Sequence, residues 1–270
     1  MAAFGHWLIF APLWAVALAL VVGLVAAALL GWGLRRRSSS DEKGPTDQEG
    51  YILSAVSGLL ALLIGFTFSM AIDRFDARRD RVLEEARSIQ SAYLKTQLLA
   101  EPYRSSMSML LVDYTDNRIA LGEAKPGASR DRLLARNELF LTKLWSATMA
   151  VFPTIKSLDF SSSYVDTMNA VFEVDIARKE GRRAHVPAQV YALLFVYEFV
   201  AAAVFGYVLS GKRGRETAGF LLLLFALSMI LVIDLDRPAT GRITESQDAL
   251  VLLSQALHAR PPPAFGGLQS

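Results

Sequence analysis

Carboxylates inside or next to long apolar stretches are the side chains of this sequence best placed for chemistry. Glu198 lies near the middle of one such stretch. A carboxylate inside a membrane is costly, so we expect Glu198 to face the protein interior or water, and we treat it as a functional candidate. The alternative is a neutral acid that hydrogen-bonds to a neighbouring helix.

Other side chains offer little support for catalysis. Asp73 and Asp234 each end an apolar stretch, as an aspartyl pair would, but both lie at helix ends beside arginines, which argues against such a pair. His6, His185 and His258 are scattered without the spacing of metal ligands. Nucleophile elbows, phosphate loops and dinucleotide fingerprints are absent from the sequence, as are cysteines. We therefore expect neither an enzyme nor a bound cofactor.

The composition predicts a membrane protein with a sizeable water-exposed part. Of 270 residues, 53% are hydrophobic and 20% are charged, and the net charge is +2. Basic residues flank the apolar stretches, so they indicate membrane anchoring and not nucleic-acid binding. Four stretches have a length and apolarity suited to crossing a hydrocarbon core, at about 1.5 Å per residue. They cover residues 7–34, 51–72, 188–210 and 218–233.

These stretches predict an all-α integral membrane protein with four transmembrane helices and a helical soluble bundle between spans two and three. Residues 1–72 contain spans one and two, residues 73–187 the bundle, and residues 188–236 spans three and four. An amphipathic helix is expected over 237–258, and the proline-rich tail 259–270 is expected to be disordered.

Apolar residues at helical spacing divide the middle region into helices. A seam through Phe75, Val82 and Ile89 follows a seven-residue repeat. Further helices are predicted over 103–121, over 129–152 and from the serines at 161–163 to Gly181, with Gly122 ending the first of them. Neither period-two alternation nor hairpin signals indicate strands here.

The second apolar stretch passes into a charged segment without a helix breaker. Residues 51–72 carry no charge, whereas 73–79 contain five charges. Neither glycine nor proline occurs between Gly65 and Pro102. The sequence therefore predicts one helix that is apolar in lipid and amphipathic in water.

Small residues recur along the first two spans, where they permit close helix packing in lipid. In span one they are Ala19, Gly23, Ala27 and Gly31; in span two they are Ser54, Gly58, Ala61, Gly65 and Ser69. One interpretation is packing within one subunit. The other is that span two turns this face towards a pore or a neighbouring subunit.

Span two resembles the second membrane helix of the bestrophins. Gly65-Phe66, followed after seven residues by Arg74-Phe75, is similar to a Gly-Phe and Arg-aromatic pair of that family. The resemblance implies a hydrophobic neck of three residues spaced four apart. In this sequence the neck positions become Gly58, Leu62 and Phe66, and the glycine makes the upper ring wide or absent.

Other segments agree with the bestrophins in order and kind. Leu111 to Tyr114 is similar to a Leu-x-x-Tyr segment, and Pro187 precedes Tyr191 as a family proline precedes a tyrosine. Asp234 and Asp236 follow span four, where the family carries a calcium clasp, which makes them a weak calcium candidate. A simpler interpretation is a charge network at the membrane surface, comprising Asp73, Arg74, Asp76, Arg78, Asp234, Asp236 and Arg237.

The resemblance implies an oligomeric ion channel, a homopentamer in membrane lipid, with span two lining the path of an inorganic ion. The alternative is a membrane sensor or scaffold without a pore, whose helical bundle binds a ligand or partner. Basic residues in the short loops and beside the bundle give conflicting orientations. The resemblance implies a multi-pass protein of the inner membrane with the bundle and both termini in the cytoplasm. Ion selectivity stays open, because no ring of repeated charges lines span two.

Overall fold

The computed structural model describes residues 2–38, 47–209 and 211–265, and every regular element in these ranges is helical. The α-helices are α1 Ala2–Phe10, α2 Leu13–Ser38, α3 Asp47–Thr96, α4 Tyr103–Glu123, α5 Ala128–Ile155, α6 Ser161–Arg183, α7 Ala188–Val208, α8 Gly211–Leu235 and α9 Asp248–Ala259. A short 3₁₀ helix follows at Pro262–Phe265.

Four of the described helical segments are long and apolar enough to cross a membrane. They lie in Leu13–Arg37, Gln48–Thr96, Ser161–Val208 and Gly211–Leu235. The chain divides into two units. The first comprises Met1–Phe75 and His185–Thr244, and the second comprises Asp76–Ala184 and Glu245–Ser270.

The first apolar stretch is interrupted, where we expected one span from residue 7 to residue 34. Helix α1 ends at Phe10 and α2 begins at Leu13. Proline lacks an amide hydrogen and disfavours helical geometry in the residue before it, so Pro12 separates the two helices. The Pro12 carbonyl then accepts the amide hydrogens of Ala15 and Val16 as α2 begins.

In the first unit, small residues bring α2 and α7 into close contact. A Cβ atom added to Gly31 would lie 1.9 Å from the carbonyl oxygen of Ala203, and one added to Gly206 would lie 1.9 Å from that of Ala28. Only glycine fits backbones that approach so closely. Gly31 of span one therefore serves packing inside the subunit.

Helix α3 runs without a break from its apolar part into its charged part, as the absence of breakers predicts. In the second unit its apolar seam packs into a core that α4, α5, α6 and α9 complete. Val82, Ile89 and Tyr93 of α3 are buried there, as are Leu111 of α4 and Leu250 of α9.

Several helices of the second unit extend past the residues expected to end them. Helix α4 includes Gly122 and ends at Glu123, and α6 includes Gly181 and ends at Arg183. The side chain of Gln247 lies where a Cβ of Gly122 would be, at 2.4 Å from that position. Gly122 therefore makes room for a packed neighbour inside a helix and does not end it.

The tail expected to be disordered includes the 3₁₀ helix Pro262–Phe265. The hydroxyl group of Tyr93 donates to the carbonyl oxygen of Arg260 at 2.9 Å, and the rings of Tyr93 and Phe265 lie 6.3 Å apart. These contacts attach the segment to the second unit. Residues 266–270 of the expected tail lie outside the described residues.

A buried ionic network crosses the core of the second unit. Glu85 of α3 accepts hydrogen bonds from Arg118 of α4 and Arg178 of α6. Arg118 also donates to Asp175 at 2.7 Å and to Asn137 at 3.1 Å. Burial lowers the pKa of Arg118, but the charges of Glu85 and Asp175 raise it by more, so the net shift is upward. The network ties α3 to the helices that pack against it.

Candidate pore face

Helix α3 uses only one side of its apolar part to pack within the subunit. Leu60, Ile64, Thr67 and Ala71 are buried, at the three- and four-residue spacing of a single helical face. The opposite side carries no packing partner of comparable extent in the described structure.

All seven span-two residues singled out from the sequence are exposed. They are Ser54, Gly58, Ala61, Leu62, Gly65, Phe66 and Ser69. Leu62 is 53% exposed and Phe66 is 63% exposed. A Cβ atom added to Gly58 or Gly65 would meet no atom within 4 Å. Within one subunit this face, here called the α3 face, is therefore not used for helix packing.

Exposed carboxylates continue along α3 beyond the apolar part. Asp73, Asp76, Asp80 and Glu84 are all exposed. Their spacing of three or four residues places them on one side of the helix. Phe66 and Ser69 precede them on the same side at the same spacing. The sequence did not reveal this pattern, because arginines at intervening positions mask it when charges are only counted.

The acidic residues at the C-terminal end of α8, Asp234 and Asp236, are engaged in structural contacts. The Asp236 carboxylate accepts the Val186 amide hydrogen at 3.0 and 3.1 Å, and Asp234 accepts that of Arg242 at 2.7 Å. Buried Arg237 donates to the carbonyl oxygen of Ala11 at 2.9 Å. The Asp234 carboxylate thus holds the loop that follows α8, and the Asp236 carboxylate holds the residue that precedes Pro187.

The remaining members of the predicted surface network are divided. Asp73 and Asp76 are exposed, Arg74 is half-buried and Arg78 is buried. Two of these residues, Asp73 and Arg74, belong to the first unit, whereas Asp76 and Arg78 belong to the second.

Glu198 faces the interior of the subunit. Only 1% of the residue is exposed, and neither carboxylate oxygen has a hydrogen-bond partner among the described residues. It shares its side of α7 with Ala201, Ala202 and Phe205, which are also buried. The side chain is therefore away from lipid, as an intramembrane carboxylate requires.

A family model for the bestrophin-like domain matches residues 17–250. The chain belongs to the bestrophin-like family. It is a membrane protein of that family, and the regular elements of its described residues are helical, several of them apolar. No protein of curated function matches the sequence.

Solved structures share the fold of this bestrophin-like chain. A variant of a bacterial bestrophin homologue from Klebsiella pneumoniae superposes with a TM-score of 0.65 at 16% identity, covering 92% of this chain and 97% of the homologue. A second variant of such a homologue gives 0.65 and 16%, with coverage of 89% and 98%. A structure described as a membrane protein gives 0.66 at 14% identity, with coverage of 88% and 97%. At such low sequence identity, the superpositions show a shared fold alone. Function depends on the site.

Proposed function

We propose that this bestrophin-like protein is an oligomeric ion channel of the inner membrane, with the α3 face of each subunit lining the ion path. The observation that carries the proposal is the exposure of the α3 face, whose small and apolar residues have no packing role within the subunit. A ring of copies, by family analogy a homopentamer, would surround this face with water and neighbouring subunits.

Leu62 and Phe66 form the constriction in this proposal. Both are exposed and lie four residues apart, so each contributes one ring of apolar side chains to a symmetric pore. Narrow apolar rings gate ion flow by excluding water. Gly58 lies one turn before Leu62 and has no side chain, so the pore is wide at the level of Gly58. Glycine and serine at neighbouring positions of the α3 face line the rest of the path.

The charged part of α3 forms a water-filled vestibule. Exposed carboxylates at Asp73, Asp76, Asp80 and Glu84 stay hydrated there. Following the family, the vestibule, the soluble region and both termini lie in the cytoplasm. An inorganic ion is the permeating species, and no catalytic step is assigned to any residue.

The second candidate is a sensor or scaffold without a pore. A groove of about 430 Å³ between α5 and α6 favours it, because a cavity of this size accommodates a small ligand. Leu141, Trp145, Phe172 and Ile176 provide its apolar lining, and Glu138 and Lys179 lie at its polar end. A scaffold does not require the α3 face to contact water.

Cysteine accessibility separates the two functions. The native chain has no cysteine, so single cysteines at Ser54, Leu62 and Ser69 can be probed in liposomes with a charged, water-soluble thiol reagent. A channel predicts labelling of all three positions. If none of the three cysteines is labelled, a water-filled path along this face is excluded.

Flux measurements then test the constriction. Phe66→Ala is expected to raise ion flux into liposomes severalfold, because it widens an apolar ring. Phe220→Ala is the matched control, since Phe66 and Phe220 are each 63% exposed in the subunit and α8 does not line the proposed path. Equal flux for the wild type and Phe66→Ala would reject Phe66 as a gate.

A further inference from the structure

Three consecutive arginines lie in the last turn of α2, and the first of them is buried in the subunit. Arg35 is 9% exposed. Its Nη1 donates to the carbonyl oxygen of Tyr207 at 2.9 Å and pairs with Glu49 at 3.3 Å. Arg35 thus stabilises the C-terminal end of α7, where carbonyl groups lack helical partners. Arg36 and Arg37 are exposed.

A second group of cations lies at the beginning of α8. Lys212, Arg213 and Arg215 are exposed, and the first turn of α8 contains no acidic residue. Cations at the N-terminal end of a helix oppose its dipole, so this arrangement is unfavourable in isolation. An anion bound at this end would remove the penalty.

Trp32 brings the two groups together. The guanidinium carbon of Arg36 lies 3.8 Å from the centre of the Trp32 ring, and that of Arg215 lies 5.7 Å from the same ring. Arginine–aromatic contacts of this kind are favourable and fix the position of the guanidinium group. One indole therefore holds arginines from two helices in one cationic surface. We call this surface the basic patch and define it as Arg36, Arg37, Lys212, Arg213 and Arg215.

The surface beside the basic patch is apolar. Leu29, Leu30 and Leu34 of α2 are exposed, and so is Phe220 of α8. These side chains lie within about two turns of the patch along membrane-spanning helices, where lipid chains cover them. The occupant that fits both surfaces has an anionic head and hydrocarbon chains.

We infer that the basic patch binds the phosphate headgroup of an anionic phospholipid, whose chains lie along α2 and α8. Free phosphate would use the cations alone and leave the adjoining apolar surface unexplained. A second copy of the chain would bring like charges together. The geometry thus favours a lipid, held by Arg36 and Arg215 beside the Trp32 ring.

Native mass spectrometry of the purified full-length protein tests this inference. Phosphatidylglycerol and phosphatidylcholine with identical chains are titrated against the wild type and against Arg36→Gln/Arg215→Gln. Each cation near a membrane surface contributes roughly fivefold to anionic lipid binding, so the double variant is expected to weaken phosphatidylglycerol binding about 25-fold. Binding of phosphatidylcholine should not change.

The matched control is Arg132→Gln/Arg136→Gln on α5. Both arginines are exposed, and Arg136 lies 5.2 Å from the ring of Phe140, so the control removes the same charge and one arginine–aromatic contact. It should leave lipid binding intact. If Arg36→Gln/Arg215→Gln fails to fold, Arg37→Gln/Arg213→Gln tests the patch without disturbing Trp32.

Three results would overturn the inference. They are equal binding of the two lipids, equal loss in the patch and control variants, and displacement of phosphatidylglycerol by inorganic phosphate at equal concentration. None of these measurements involves ion flux, so the lipid site and the channel proposal can fail separately.

Discussion

Arg118→Met is expected to destabilise the second unit by about 3 kcal/mol. Removing one partner of a buried ion pair costs roughly 3–5 kcal/mol, because the other charge stays buried without compensation. After the substitution Glu85 retains Arg178, and Asp175 retains Lys179, whose Nζ lies 2.5 Å from Oδ2. These remaining pairs place the expected cost at the lower end of the range.

Thermal unfolding in detergent measures this cost. The second unit is intermediate in size between domains of 60–100 residues, where 1 kcal/mol corresponds to about 4–8 °C, and those of 150–250 residues, where it corresponds to about 2–4 °C. Arg118→Met should therefore lower Tm by about 12 °C. Tryptophan fluorescence reports the transition, since Trp145 packs edge-on against Phe172 at 5.8 Å in the second unit.

Arg183→Met provides the comparison for Arg118. Arg183 forms an exposed ion pair with Glu180 at 3.2 Å, and such surface pairs contribute about 0–1 kcal/mol. Its Tm should stay close to that of the wild type. Equal Tm values for Arg118→Met, Arg183→Met and the wild type would refute the idea that the buried network fixes α3 against its neighbours.

Three further predictions address packing, charge and calcium. Gly31→Leu should abolish monodisperse protein in size-exclusion chromatography, whereas Gly33→Ala, with no atom within 4 Å of the added Cβ, should behave as the wild type. Asp76→Asn/Asp80→Asn should lower the cation-to-anion permeability ratio obtained from reversal potentials, because it removes negative charge from the proposed vestibule. Addition of calcium or of a chelator should leave flux unchanged, since the Asp236 carboxylate already binds backbone amide hydrogen; calcium-dependent flux would contradict this assignment.

The sequence predicted the length and type of the long elements well. Hydrophobic length determines a membrane span, and the lack of glycine and proline after Gly65 determines the continuity of α3. Both are local properties that a single sequence contains. The first span was the exception, because one proline inside an apolar stretch divides it into two helices.

The sequence could not predict which of the two small-residue patterns would pack against another helix. Gly31 and Gly65 belong to similar patterns, yet Gly31 contacts the backbone of α7 and Gly65 contacts no other element. The difference depends on neighbours that are distant in sequence. The buried network was missed for a related reason, since Glu85 and Arg118 have the composition of solvated helix surfaces and become buried only in the folded bundle.

The attachment of α9 has a consequence for biosynthesis. Leu250, Leu253 and Leu257 complete the core of the second unit, and Gln247 accepts a hydrogen bond from Arg178 at 2.9 Å. On the ribosome, these residues emerge only after both later membrane helices have been translated. The nascent bundle therefore lacks α9, and Arg178 lacks its amide partner, until the hydrophobic segments between its two halves have been translated.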